Sequence, residues 1–168
     1  MSIWLYLVAL SATDAARFRA DIAQANSATA VLQSRCAAHP ITAIRVTETA
    51  KAPPRAIRAR LAITSHQQVR YRHVRLMCGP TLYSDADNWY VPARLTPAMN
   101  DTLDTSDTPY GKVIAPLNAR RAIIRTKTRR HGAFLTVTAV LTSEAGLPLS
   151  GVVERYQAAV LIPSDVPR

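Results

Sequence analysis

Apolar and polar residues alternate most regularly from Val69 to Pro92, VRYRHVRLMCGPTLYSDADNWYVP. Strand-forming side chains flank the chain-reversing pair Gly79-Pro80, so this stretch predicts a hairpin. Period two puts Arg70, Arg72, Val74, Leu76 and Cys78 on one face of its first arm. Tyr71, His73, Arg75 and Met77 take the other. Burying the apolar face therefore carries the Arg72 guanidinium towards the core. Desolvating that charge costs several kcal/mol unless an anion meets it.

Helical spacing governs the chain before the hairpin. Thr13 or Asp14 can cap a first helix with Phe18, Ile22 and Ala25 on one side. Asn26-Ser27 can cap a second, with Ala28, Val31, Leu32, Arg35 and Cys36 in one stripe ended by His39-Pro40. Ile41–Thr47 suits a short strand through Ile44 and Val46, Lys51–Pro54 is a break, and Arg55–Leu61 a short basic helix. After the hairpin, Pro92–Met99 predicts a helical turn running into the polar stretch Asn100–Asp107. Structure restarts at Thr108-Pro109-Tyr110-Gly111, with Pro109 suited to a first helical position.

Strands follow at about Arg121–Thr128, Ala133–Thr142 and, past Ala145-Gly146, Leu149–Ile162. In the last of these Val152, Glu154, Tyr156, Ala158, Val160 and Ile162 share a face that is apolar except for Glu154. Arg72 and Glu154 are thus each aimed into apolar surroundings from different strands. Either they form a buried pair, or a small acidic ligand lies between them, the arginine taking a carboxylate and the glutamate a hydroxyl.

Strands in hairpin order with helices gathered apart give an α+β domain, an antiparallel sheet with helices packed on one face. At 168 residues, residues 1–168 form a single domain, with 1–25 a helical amino-terminal segment. The net charge of +10 suits a negatively charged partner. Its arginines are scattered, with no run beyond Arg129-Arg130-His131 and no nucleic-acid-binding motif, so nucleic acid is disfavoured as a partner. Cys36 and Cys78 lack zinc-site spacing, and Asp85 and Asp87 lack the Gly and Glu of a calcium loop; no metal is expected. The two cysteines are either buried thiols or one disulfide. His73, pointing away from Arg72, is expected at the surface, and Trp89 and Tyr90 in packing.

The apolar run Ile3–Leu10 faintly resembles a signal peptide but lacks a basic start, and it is too short to span a bilayer. A cytoplasmic protein with a structured or mispositioned amino terminus is the expectation, with a periplasmic one as the alternative. Oligomeric state is not legible.

Several segments together resemble the chorismate lyase fold family, which includes chorismate pyruvate-lyase of ubiquinone biosynthesis and the UTRA effector-binding domains of GntR-type regulators. They are Asn26-Ser27-Ala28-Thr29, Arg72-His73-Val74-Arg75-Leu76 with Tyr90-Val91-Pro92, Thr108-Pro109-Tyr110-Gly111-Lys112, and Gly146-Leu147-Pro148-Leu149 leading to Val153-Glu154 and Ile162-Pro163. Their order and spacing carry the resemblance, from about residue 26 onward. It implies a small enclosed site for an aromatic acid, with Arg72 on the ring carboxylate, Glu154 on the ring hydroxyl, and Tyr110 and Gly111 close by. Arg120 and Arg121 are candidates for a second carboxylate.

The implied reaction is loss of enolpyruvate from chorismate to give 4-hydroxybenzoate and pyruvate, with Arg72 and Glu154 as its catalytic residues. Aromatisation drives it, so no cofactor is needed. The alternative is a non-catalytic, UTRA-like domain that binds a small aromatic carboxylate. Ala28 and the run Ser84–Tyr90 depart from the lyase pattern, which points to a diverged group with a changed ligand.

Overall fold

The computed structural model describes the backbone of residues 3–162 and the side chains of residues 12–162. Among these residues six antiparallel strands form one sheet: β1 (Ile41–Val46), β2 (Arg70–Cys78), β3 (Thr81–Tyr90), β4 (Arg120–Thr128), β5 (Leu135–Thr142) and β6 (Pro148–Tyr156), in the order β1-β2-β3-β6-β5-β4. Each neighbouring pair of strands is antiparallel. The expected α+β class with an antiparallel sheet is therefore the observed one. Among the described residues five α-helices accompany it: α1 (Ile3–Gln24), α2 (Ala28–Ser34), α3 (Arg55–Arg60), α4 (Pro97–Thr105) and α5 (Tyr110–Val113).

The alternation read from β2 sets the two faces of the sheet. Val74 stands beside Ala86 of β3, Ala86 beside Glu154 of β6, and Glu154 beside Val137 of β5. This inner face packs against Phe18 and Ile22 of α1, Leu32 of α2, Leu103 of α4 and Tyr110 of α5 in the main core. The Phe18 ring meets that of Tyr156 edge-on, with centroids 5.2 Å apart. On the outer face, α3 forms a smaller core through Ile57 and Leu61 with Trp89 and Val140. Gly151 permits this approach, since a Cβ there would sit 2.2 Å from Ile57 Cγ2. Trp89 and Tyr90 are both packing residues, 3% and 1% exposed.

Local signals placed several elements correctly and missed some boundaries. Ser27 caps α2 by accepting from Ala30 N, as its hydroxyl suits it to do. Thr13 and Asp14 cap nothing at an amino terminus: they lie inside α1, which begins at Ile3. The side chains of the apolar run Ile3–Leu10 lie outside the described residues, and so does Pro163. Ile41 and Ala43, rather than the half-exposed Ile44, are the buried residues of β1. Much of the polar stretch after Met99 is helical, because Thr96 caps α4 and its polar residues face outward around the buried Leu103. Pro109 stands at the N-cap of α5, one position earlier than expected. The last strand ends at Tyr156, and Ala158–Leu161 coil into a 3₁₀ turn that buries Val160.

Cys36 and Cys78 form a disulfide, with Cα atoms 5.7 Å apart, tying the segment after α2 to the end of β2. Among the described residues, no helix is long and apolar enough to cross a membrane.

Candidate functional site

Between the inner face and the helices lies a cavity with about 80 Å³ of water-accessible space. That is room for a few ordered waters or a small polar ligand. Its apolar walls come from Val74, Leu76, Ala86, Leu141 and Val152 on four strands. Asn26–Thr29, at the start of α2, form one side, and Pro109, Tyr110 and Gly111 another. Alternation explains the strand contributions, since each of these side chains is an inward position of its strand.

The strands contribute three polar side chains to this space: Asn88 of β3, Arg121 of β4 and Glu154 of β6. Arg121 and Glu154 form an ion pair through Nη2 and Oε2, with side chains only 2% and 11% exposed. Arg121 also donates from Nη1 to the Ile22 carbonyl at 3.0 Å, which fastens the end of α1 to the pair. Burial works against the charge on Arg121, but the adjacent Glu154 carboxylate outweighs it and holds the guanidinium ionised. Asn88 Oδ1, Arg121 Nε and Tyr110 OH are buried without a hydrogen-bond partner. Ser150 Oγ is the near polar neighbour of Tyr110 OH, yet it too makes no well-formed hydrogen bond. Burial drives the Tyr110 phenol pKa far up, so it stays neutral and able to donate. An ionised pair beside unpaired donors and an acceptor, in an apolar shell, can bind and orient a small polar ligand.

The anticipated Arg72–Glu154 pair does not form. Arg72 is 5% exposed and does point inward, but its guanidinium turns to the end of α4. Nη2 donates to Ser106 O at 3.0 Å and Nη1 to Thr108 O at 3.3 Å. Arg45 of β1 binds the same turn, donating to Asp104 O at 2.8 Å, to Ser106 O at 3.0 Å and to Leu103 O. The last carbonyls of a helix lack intrahelical partners and carry partial negative charge, so they supply the anion that a buried arginine requires. Burial and the neighbouring Arg45 charge both lower the Arg72 pKa. Arg72 does not line the cavity, whereas Tyr110, Gly111, Arg121 and Glu154 do. Arg120 is exposed on β4 and takes no part in it. Asn88, missed in the sequence, was reachable by counting alternate positions from Ala86.

The outer face holds a polar cluster that sequence reasoning also missed. His73, expected at the surface, is 8% exposed, with Nε2 2.9 Å from Asp85 Oδ1 and Nδ1 2.8 Å from Glu48 Oε1, the latter outside hydrogen-bonding alignment. Ligand atoms of Glu48, His73 and Asp87 lie within 4.8 Å of one another. Lys51 Nζ already sits 2.8 Å from Glu48 Oε1 and 3.2 Å from Asp87 Oδ1. Arg155 contacts both Asp85 and Asp87. Side-chain cations thus fill the place a metal ion would take.

No known family profile matches the sequence. The uncharacterized protein y4mC of Sinorhizobium fredii is 37% identical over 128 residues, covering 62% of this chain and 54% of that protein; the chain spans about half the length of this relative. PhnF from Mycobacterium smegmatis superposes with a TM-score of 0.59 at 11% identity, over 86% of this chain and 69% of PhnF. The effector domain of PhnF matches with a TM-score of 0.56 at 11% identity, over 79% of this chain and 88% of the domain. A GntR-family transcriptional regulator from Enterococcus faecalis gives 0.53 at 12% identity, over 76% of this chain and all of that one. The fold is UTRA-like.

Proposed function

We propose that this chain is a non-catalytic, UTRA-like domain that binds a small carboxylate in the cavity beneath α2. The cavity itself carries this reading: one ion pair and unsatisfied Asn88 and Tyr110 groups stand among the apolar strand residues, with the polar start of α2 on one side. Arg121 is its cation, and a ligand carboxylate would join or displace Glu154 on it. Tyr110 is placed to donate to a ligand oxygen and Asn88 to accept from a ligand hydroxyl.

Two observations favour binding over lyase chemistry. Arg72, implied by the resemblance for the ring carboxylate, is engaged by main-chain carbonyls and does not line the cavity. Glu154 is already neutralised by Arg121. The similar fold of the effector domain of PhnF agrees with an effector-binding role.

Titration calorimetry with 4-hydroxybenzoate, beside a chorismate turnover assay, tests the proposal. Saturable binding that is weakened by Tyr110→Phe and Asn88→Ala, with no turnover, is the expected result. Chorismate turnover abolished by Glu154→Gln would overturn it in favour of a lyase. Failure of a panel of small aromatic and aliphatic carboxylates to bind would leave Arg121–Glu154 as a structural pair.

A further inference from the structure

From Thr108 to Ser143 the chain contains no acidic residue, while Lys112, Arg120, Arg121, Arg125, Lys127, Arg129 and Arg130 supply seven basic ones. The fold gathers most of them on β4, the terminal strand of the sheet. Arg121 turns inward to Glu154. Arg120, Arg125, Lys127, Arg129 and Arg130 are all exposed and make no ion pair among the described residues.

The strip has a definite geometry. Arg125 stands opposite Thr138 and Lys127 opposite Thr136, outer-face positions of β5. Arg129 continues the ladder, donating to Phe134 O at 3.0 Å. Alternate residues of a strand repeat at about 7 Å, so Arg125, Lys127 and Arg129 form an evenly spaced basic row. On the same outer face, α3 seats Ile57 and Leu61 against Val140 and Ile124, leaving Arg55, Arg58 and Arg60 exposed. Beside the row, no strand among the described residues pairs with the outer edge of β4, which leaves its main-chain donors and acceptors open there.

We propose that β4 is a docking edge for an extended acidic peptide, which adds to the sheet as a seventh strand with carboxylates at alternate positions. Strand addition satisfies the open main-chain groups, and a period-two acidic sequence matches the basic row residue for residue. A second copy of this chain fits poorly, because pairing β4 with itself sets basic residues opposite basic residues. Nucleic acid fits the charge but not the surface: Arg120–Ala133 contains no Phe, Tyr or Trp for base stacking, and a phosphate backbone leaves the strand edge unused.

The test uses a fluorescein-labelled eleven-residue peptide alternating glutamate and threonine, titrated with the whole protein by fluorescence anisotropy. Binding is expected, with amide NMR shifts concentrated on β4. The exposed pair of changes Arg125→Glu and Lys127→Glu should weaken it by about tenfold or more, and so should prolines at the threonine positions of the peptide. If the proline-bearing peptide, or a double-stranded DNA oligonucleotide, binds as tightly as the alternating peptide, the edge is a general polyanion surface and the proposal falls. It falls equally if no binding occurs at low salt, which would leave the charges to keep the edge from aggregating.

Discussion

Arg121 and Glu154, 33 residues apart in the chain, form an ion pair across the inner face of the sheet, and the Ile22 carbonyl of α1 shares the same guanidinium. The pair therefore links β4, β6 and α1 at one wall of the cavity. Arg121→Ala or Glu154→Ala alone should cost about 3–5 kcal/mol, because each leaves a buried charge without its partner. The double change Arg121→Met with Glu154→Leu should recover most of that loss. Urea denaturation of the three variants measures both effects. Equal additive losses in the double variant would mean that the two residues are not coupled.

Arg72 is expected to behave as a strut for α4. Arg72→Met should destabilise the protein by about 2–4 kcal/mol, since it removes two hydrogen bonds from a charged group, taking that donor from the Thr108 carbonyl and leaving Ser106 O to Arg45. Arg72→Lys should recover little, because an ammonium cannot reproduce the fork that spans both carbonyls. Ligand affinity in folded Arg72→Met protein should stay close to that of the wild type. A loss as large as that in Tyr110→Phe would place Arg72 at the ligand instead.

The Cys36–Cys78 disulfide closes a sequence separation of 42 residues. Restricting the unfolded chain over that span is worth about 4 kcal/mol in the chain-entropy account. The Cys36→Ser/Cys78→Ser protein should show this loss by denaturation, and adding reductant should not lower its stability further. Cys36 and Cys78 are 0% and 4% exposed, so reduction of the native wild type should be slow without denaturant.

Asp87 gives the outer-face cluster a pH dependence. Burial pushes its carboxyl up, but hydrogen bonds from Tyr71 and Arg155, with the Arg155 charge and a hydrogen bond from Lys51, more than offset this. Its pKa therefore ends below the ordinary 3.8. A carboxyl depressed in the folded state contributes its full stability above 3.8, and that contribution fades as pH falls through the lower folded value. Asp87→Asn should therefore be less stable than wild type at pH 7, with the gap narrowing below pH 3.8. Thermal melts of both proteins across that range report the difference, and a constant gap would remove the carboxylate charge as its cause.

Local periodicity was sufficient for much of the architecture. Period two in β2 and β6 put Arg72 and Glu154 inward, Gly79-Pro80 turned the hairpin, and Ser27 announced α2 through its capping hydroxyl. These signals act over a few residues, so they survive without tertiary context. The cavity was legible in part: alternation turned Glu154 inward, while Tyr110, Gly111 and Arg121 were reached only through the family resemblance.

What each inward charge meets was decided only by the fold. Arg72 found helix-end carbonyls more than thirty residues ahead in the chain, Glu154 found Arg121 two strands away, and His73 found Glu48 across the outer face. Alternation fixes the direction of a side chain but not its partner. Partners are set by strand order and helix placement, which bring together residues with no local relation. The arginines of β4 make the same point: scattered along the chain, they become a charged edge because that strand ends the sheet.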